Sequence, residues 1–273
     1  MVSKKTTERI TAAAKRLLPI LEQQRTRDVS EADTVTLVKD LLADIFGFDK
    51  YAELTGEHAI RGTFCDLAVK LDDKVVELIE VKAIGIELND RHVKQAIDYA
   101  ANLGIEWVIL TNAISWRLYH VIFAKPIDKQ LISEVDLTQV DYRKEGEVAR
   151  LYPFTKEGFK KGLHVDLKDR QDATSRFLIA ALLTQNDAVV GAIRRELRRV
   201  VEVNVSEDEI LKVLQSEVIK RDALEGPSAD DAAKRINRSE AKKLRSVERP
   251  VPENVDIPAP SGPAVSDVSA NPS

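Results

Sequence analysis

The chain has 273 residues, enough for one good-sized domain with additions or for two small ones. Apolar residues are 44% and charged residues 32%, ordinary for a globular protein, and a formal net charge of -4 admits nucleic acid as a partner only through a local basic patch. The single cysteine, Cys65, excludes an intrachain disulfide. The first residues lack a signal-peptide apolar core and no apolar run is long enough to span a membrane, so the expectation is a cytoplasmic protein.

Residues 6–25 place Ile10, Ala14, Leu17, Leu18 and Leu21 at helical spacing, with Pro19 as a point of kinking. Ser30-Glu31-Ala32-Asp33 has the form of a capping box. It opens a second helix that turns Val35, Val38, Leu41, Leu42 and Ile45 inward and stops at Gly47. The period then changes from 3.6 to 2. Residues 63–71 and 75–82 read as strands joined by a polar turn at Asp72-Asp73-Lys74. Residues 90–103 read as a helix ending at Gly104, 106–111 as a short buried strand and 115–123 as another. This order implies an α/β sandwich around a mixed sheet. From about residue 170 the pattern is helical only, with helices expected over 172–184, 188–201 and 207–224. Beyond residue 225 lie seven of the ten prolines with much Ser, Ala and charge, which reads as a disordered tail. The division expected is 1–27 as an amino-terminal helix, 28–150 as the main domain, 151–224 as a helical region and 225–273 as the tail.

The chemistry concentrates in the hairpin. If Leu71 pairs with Val75 across a three-residue turn, Asp66 stands opposite Glu80, with Cβ atoms roughly 4.5–5.5 Å apart. Lys82, two residues on, shares that face. The other face, with Cys65, Leu67, Val69, Leu71, Val75, Ile79 and Val81, reads as core, with Glu77 as its exception. Two facing carboxylates repel unless a cation separates them. One lysine supplies a single charge, and a hard divalent ion such as Mg²⁺ suits the oxygen donors better.

Asp66 followed by Glu80-Val81-Lys82 on the next strand resembles the signature of PD-(D/E)xK nucleases. Gln95-Ala96-Ile97-Asp98-Tyr99 resembles the QxxxY element of some branches. Ser30–Thr34 running into Ile45–Phe48 resembles the first-helix Glu motif of the N-terminal nuclease domain of type I restriction R subunits, and residues 108–119 its strand–turn–strand. The resemblance covers about residues 28–123, with Cys65 where the proline often precedes the first Asp. It implies a restriction-endonuclease-like fold and Mg²⁺-dependent (or Mn²⁺-dependent) hydrolysis of DNA phosphodiesters, in defence against foreign DNA. Asp66 and Glu80 would hold the ion, Glu31 would be a third ligand, Lys82 would act on the attacking water, and Gln95 and Tyr99 would fix Lys82 or a phosphate. No Walker A loop or helicase motif accompanies these residues.

Each reading has a plainer rival. Asp66 and Lys82 can form a simple cross-strand ion pair, Glu31 can serve the helix dipole, and Gln95 and Tyr99 can be ordinary helix surface. His92 lies near enough to the proposed site to touch substrate. Arg194, Arg195, Arg198 and Arg199 form a stripe that is either a solvated face or a phosphate-tracking one; Lys156, Lys160 and Lys161 form a second such patch. The rival function is a non-catalytic or partner-dependent nucleic-acid-binding or assembly module of the same fold. DNA, separate restriction-system subunits and a second copy of the chain are the partners in view.

Overall fold

The computed structural model of the chain describes residues 2–60 and 63–247. These divide into two compact units, one ending at Ser175 and the other beginning at Arg176.

The first unit opens with α1 (Lys4–Thr26) and α2 (Glu31–Asp44). Three antiparallel strands follow, β1 (Leu54–Ile60), β2 (Thr63–Leu71) and β3 (Lys74–Val81). Helix α3 (Asp90–Leu103) crosses over to β4 (Trp107–Thr111), which lies parallel to β3. Strands β5 (Ser115–Ile122) and β6 (Asp128–Asp136) complete a six-stranded mixed sheet in the order β1-β2-β3-β4-β5-β6. The short helices α4 (Glu145–Ala149) and α5 (Lys156–Lys160) and the longer α6 (Leu163–Ala173) close the unit. The fold is thus the expected mixed sheet flanked by helices, of restriction-endonuclease-like type.

The sheet separates two cores. On one face, Ile10, Ala14 and Leu21 of α1 and Val38, Leu41 and Leu42 of α2 bury against Leu67, Val69, Ile79, Val81 and Ile109. On the other, Val93, Ala96, Ile97, Tyr99 and Ala100 of α3 bury against Ala68, Leu78, Val108 and Leu110. Each fully buried aliphatic side chain contributes about 1.5–3 kcal/mol, so these two faces fix all three helices on the sheet. Phe46, just past α2, packs edge-on to Trp116 with ring centroids 4.6 Å apart and anchors the end of that helix. The helix stops at Gly47, whose φ of +83° favours glycine and whose missing side chain admits the Arg9 guanidinium. Arg9 in turn pairs with Glu157, tying α1 to α5.

The amino-terminal helix is therefore part of the main core, and α1 continues through Pro19. The hairpin also differs from expectation in detail. Its turn is two residues, Asp72 and Asp73, both with positive φ, which suits the right-handed twist of the strands. Leu71 consequently pairs with Lys74, and a bulge at Val76 restores the expected register by Leu67↔Ile79.

The second unit holds α7 (Arg176–Gln185), α8 (Asp187–Val201), α9 (Glu207–Val213) and α10 (Pro227–Val247). Residues 227–247, expected in the structureless tail, are helical because Ala232 and Ile236, four apart, bury against Ala181 of α7. Residues 248–273 of that tail lie outside the described residues. Among the described residues, no single helix is long and apolar enough to cross a membrane.

Candidate active site

The candidate cluster forms where β2 and β3 part. Their ladder ends at Leu67↔Ile79, and two residues further along β3 Val81 N–H donates to Asp66 Oδ2 at 2.7 Å. Alternation breaks at the same place, for Cys65 and Leu67, two residues apart, lie in opposite cores. Cys65 is thus on the α3 face, correcting its expected place beside Leu67 and Val69. Its thiol donates to Leu67 O at 3.3 Å and to Ile79 O at 3.2 Å, and burial pushes its pKa up to about 12, so it is an inert core group.

Beyond the break, Lys82 N–H extends the parallel register by donating to Thr111 O at 2.8 Å. The Lys82 ammonium donates to Glu80 Oε1 at 2.7 Å, to Val81 O at 3.2 Å and to Glu31 Oε2 at 3.4 Å. Glu31 arrives there because Ser30 caps α2 and buried Thr34, one turn along, accepts from Ile84 N–H at 3.1 Å. That bond clamps the start of α2 to the chain leaving β3. Gly85 assists, since a Cβ there would fall 2.4 Å from Asp28 Oδ1. Thr34 and Gly85 were not singled out in the sequence; the recurrence of a hydroxyl one turn after the cap is a weak signal for the first.

Exposure is graded across the cluster, from 8% for the Glu80 side chain through 20% for Lys82 to 49% for Glu31. Burial raises the Glu80 pKa; Lys82 pulls the other way, and the neighbouring Asp66 and Glu31 charges push it further up. Lys82 is opposed by its own burial, but Glu80, Glu31 and Asp66 outweigh that and hold its pKa above the usual lysine value. The ammonium is therefore fixed as a cation among three acids, and its single charge does not neutralise them.

The supporting residues divide. Gln95 is exposed on α3, whereas Tyr99 is buried in the core beneath it, its phenol raised by burial and by nearby Cys65. His92 caps α3, its Nδ1 accepting from Asn89 N–H at 3.3 Å. In the second unit Arg194 pairs with Glu207 at 3.3 Å and Arg199 with Glu196 at 2.6 Å, while Arg195 and Arg198 are exposed. Lys156 of the other basic patch pairs with Glu53 at 2.6 Å, and Lys161 lies over the Tyr152 ring.

Among the described residues, no three of His, Cys, Asp and Glu form a ready-made metal cage. The expected triad of Glu31, Asp66 and Glu80 is interrupted by Lys82, which bonds two of its members. The donor chemistry nevertheless fits a hard cation. Mg²⁺ commonly takes one or two carboxylates and fills its remaining positions with water and substrate oxygens, and the excess negative charge around Glu80 is what such an ion would relieve.

No curated protein and no solved structure matches the chain. Residues 52–134, the span from just before β1 into β6 that carries Asp66, Glu80, Lys82, Gln95 and Tyr99, match the model of the family described as Type I restriction enzyme R protein N terminus, so this domain is related to restriction enzymes.

Proposed function

We propose that the first unit is a Mg²⁺-dependent deoxyribonuclease that hydrolyses phosphodiester bonds at the Asp66–Glu80–Lys82 cluster. The observation that carries the reading is the convergence of these three side chains with Glu31 where β2 and β3 diverge, in a domain that matches a restriction-enzyme family. Asp66 and Glu80 would hold the metal, with Glu31 at its exposed side. A bound Mg²⁺ would polarise the scissile phosphate and lower the pKa of a water on it. Lys82 is held by Glu80 and Glu31 beside the position where negative charge accumulates, so its ammonium serves the transition state more than the ground state. The Val81 amide fixes the Asp66 carboxylate by a charge-assisted bond, which limits its rearrangement during turnover.

Restriction relatedness supports DNA as substrate, separate restriction-system subunits as partners, a cytoplasmic setting and a role in defence. A second copy of the chain is a further partner to test by size exclusion. The discriminating assay is plasmid nicking by the purified chain in Mg²⁺ and in EDTA, with Asp66→Ala alongside. Nicking that needs Mg²⁺ and is lost in the variant is the expected result. Nicking that survives in the variant overturns the assignment. DNA binding without cleavage would favour the binding-module reading, for which exposed Arg195 and Arg198 offer phosphate contacts.

A further inference from the structure

A cavity of about 470 Å³ lies beside the cluster, lined by α2 from Glu31 to Lys39 and by Gly56 and Asp66 of the paired strands β1 and β2. Lys39 is half-buried, and its Nζ lies 3.3 Å from where a Cβ on Gly56 would stand, so the bare glycine of β1 leaves room for the amine. Among the described residues the Lys39 ammonium has no anionic partner. Lys50, Lys156 and Lys168 of the same unit are each paired, with Asp40 at 2.5 Å, Glu53 at 2.6 Å and Asp172 at 2.7 Å. A cation on a concave wall with no anion beside it offers an anionic ligand a point of attachment.

We propose that this groove seats the phosphodiester backbone of the substrate strand, with Lys39 holding a phosphate a few nucleotides from the one cleaved. The proposal rests on the nuclease reading for the identity of the strand, and on the groove for its path. Glu31 and Lys39 are eight residues apart on one helix, ~12 Å along its axis. That distance is a few steps of a strand that rises ~3.4 Å per nucleotide. A small single anion would be drawn to Lys39 but repelled by the acidic end. A polyanion with regularly spaced charges can use both ends, one phosphate on the ammonium and another reached through a cation at the carboxylates. Lysine is a point charge without a directional fork, so the contact positions the strand and does not read its sequence.

The test uses the full chain and a labelled DNA duplex titrated in Ca²⁺, a larger ion expected to support binding without turnover, at several salt concentrations. Lys39→Gln is expected to weaken binding roughly 5–10-fold at 0.1 M salt, equally across DNA sequences, and to flatten the log–log salt dependence by about one unit. Lys39→Arg should recover most of the affinity, Gly56→Leu should weaken binding by filling the groove, and Lys50→Gln should match the unmodified chain. Equal melting temperatures for Lys39→Gln and the unmodified chain exclude a folding defect at that position. If Lys39→Gln binds with unchanged affinity and salt slope, the groove assignment is overturned, whatever the cleavage assay gives. If Lys39→Gln loses affinity as described but the unmodified chain does not cleave in Mg²⁺, the groove stands and the hydrolytic reading falls. Failure of the unmodified chain to bind any DNA removes both.

Discussion

Glu77 and Glu80 lie three residues apart on one strand, both nearly sealed from water, and their surroundings give them opposite meanings. Glu77 is 3% exposed and faces the α1–α2 core with no ion-pair partner among the described residues; burial alone pushes its pKa up to about 8. Glu80, 6% exposed, opens onto Asp66, Lys82 and Glu31. Burial favours the neutral form of the first, which the fold tolerates. The second belongs to a cluster whose charges are coupled and whose rim reaches solvent. A buried acid is thus not by itself a candidate site; the convergence of neighbours from three elements makes one a candidate.

Four substitutions probe that contrast. The largest effect is expected for Asp66→Ala, which removes an oxygen donor and leaves the Val81 amide without its acceptor. Cleavage should fall by at least ~10³-fold, the upper range for a single electrostatic group, as read by plasmid nicking, while circular dichroism shows the fold retained. Lys82→Ala should cut the single-turnover rate ~10²–10³-fold with much smaller changes in DNA binding measured in Ca²⁺. Equal losses of rate and binding would instead make Lys82 a DNA-contact residue.

The next two concern stability. The folded-state pKa of Glu77 lies above its unfolded value, so the neutral form's contribution is complete below pH ~4.5 and is lost as pH rises through about 8. Glu77→Gln should remove that decline and stabilise the protein by ~1–3 kcal/mol at pH 9, after allowance for an unpaired buried amide. Urea melts across pH 5–9 measure this, and an unchanged slope would put Glu77 in contact with a cation.

His164 has the opposite sign. It stacks on Phe159 at 4.2 Å and meets the edge of Trp107 at 4.4 Å, its buried Nδ1 has no hydrogen-bond partner among the described residues, and burial lowers its pKa to about 4. The cost of keeping it neutral grows as pH falls from 6.5 through 4. His164→Leu should lessen the acid-side loss by ~1–2 kcal/mol, read from melting temperatures at pH 4.5 and 7. Identical acid-side losses in both proteins would show that another group governs it.

The central strands were legible because their apolar alternation is strong, and α3 because Asn89 and Gly104 mark its ends. Strands β1 and β6 were not. They are the sheet edges, pair on one side only, and carry Gly56 and a string of polar residues from Asp128 to Asp136 that blur the period. The helical character of residues 227–247 escaped because its buried stripe is built from small Ala229 and Ala232 before Ile236, a faint signal beside Pro227 and many charges. The clustering of Asp66, Glu80 and Lys82 was recoverable from spacing. The expected register held at Leu67↔Ile79 because the bulge at Val76 offset a turn one residue shorter than supposed. The grip of Lys82 on both Glu80 and Glu31 was not legible, since it depends on the Thr34–Ile84 bond between residues fifty positions apart. Lys39 was equally hidden, because its proposed role rests on Gly56 across the groove and not on its own helix.

The measurement that bears most directly on the account is cleavage in Mg²⁺ by Glu80→Gln and Glu77→Gln, side by side with the unmodified chain. Both changes remove one carboxylate from the same strand while conserving its size. Glu80→Gln should lose cleavage with its melting temperature held or raised, since burial and neighbouring acids already disfavour its charge. Glu77→Gln should cleave at the unmodified rate. Normal cleavage by Glu80→Gln, or loss of cleavage in a folded Glu77→Gln, would contradict the assignment of catalysis to the Asp66–Glu80–Lys82 cluster.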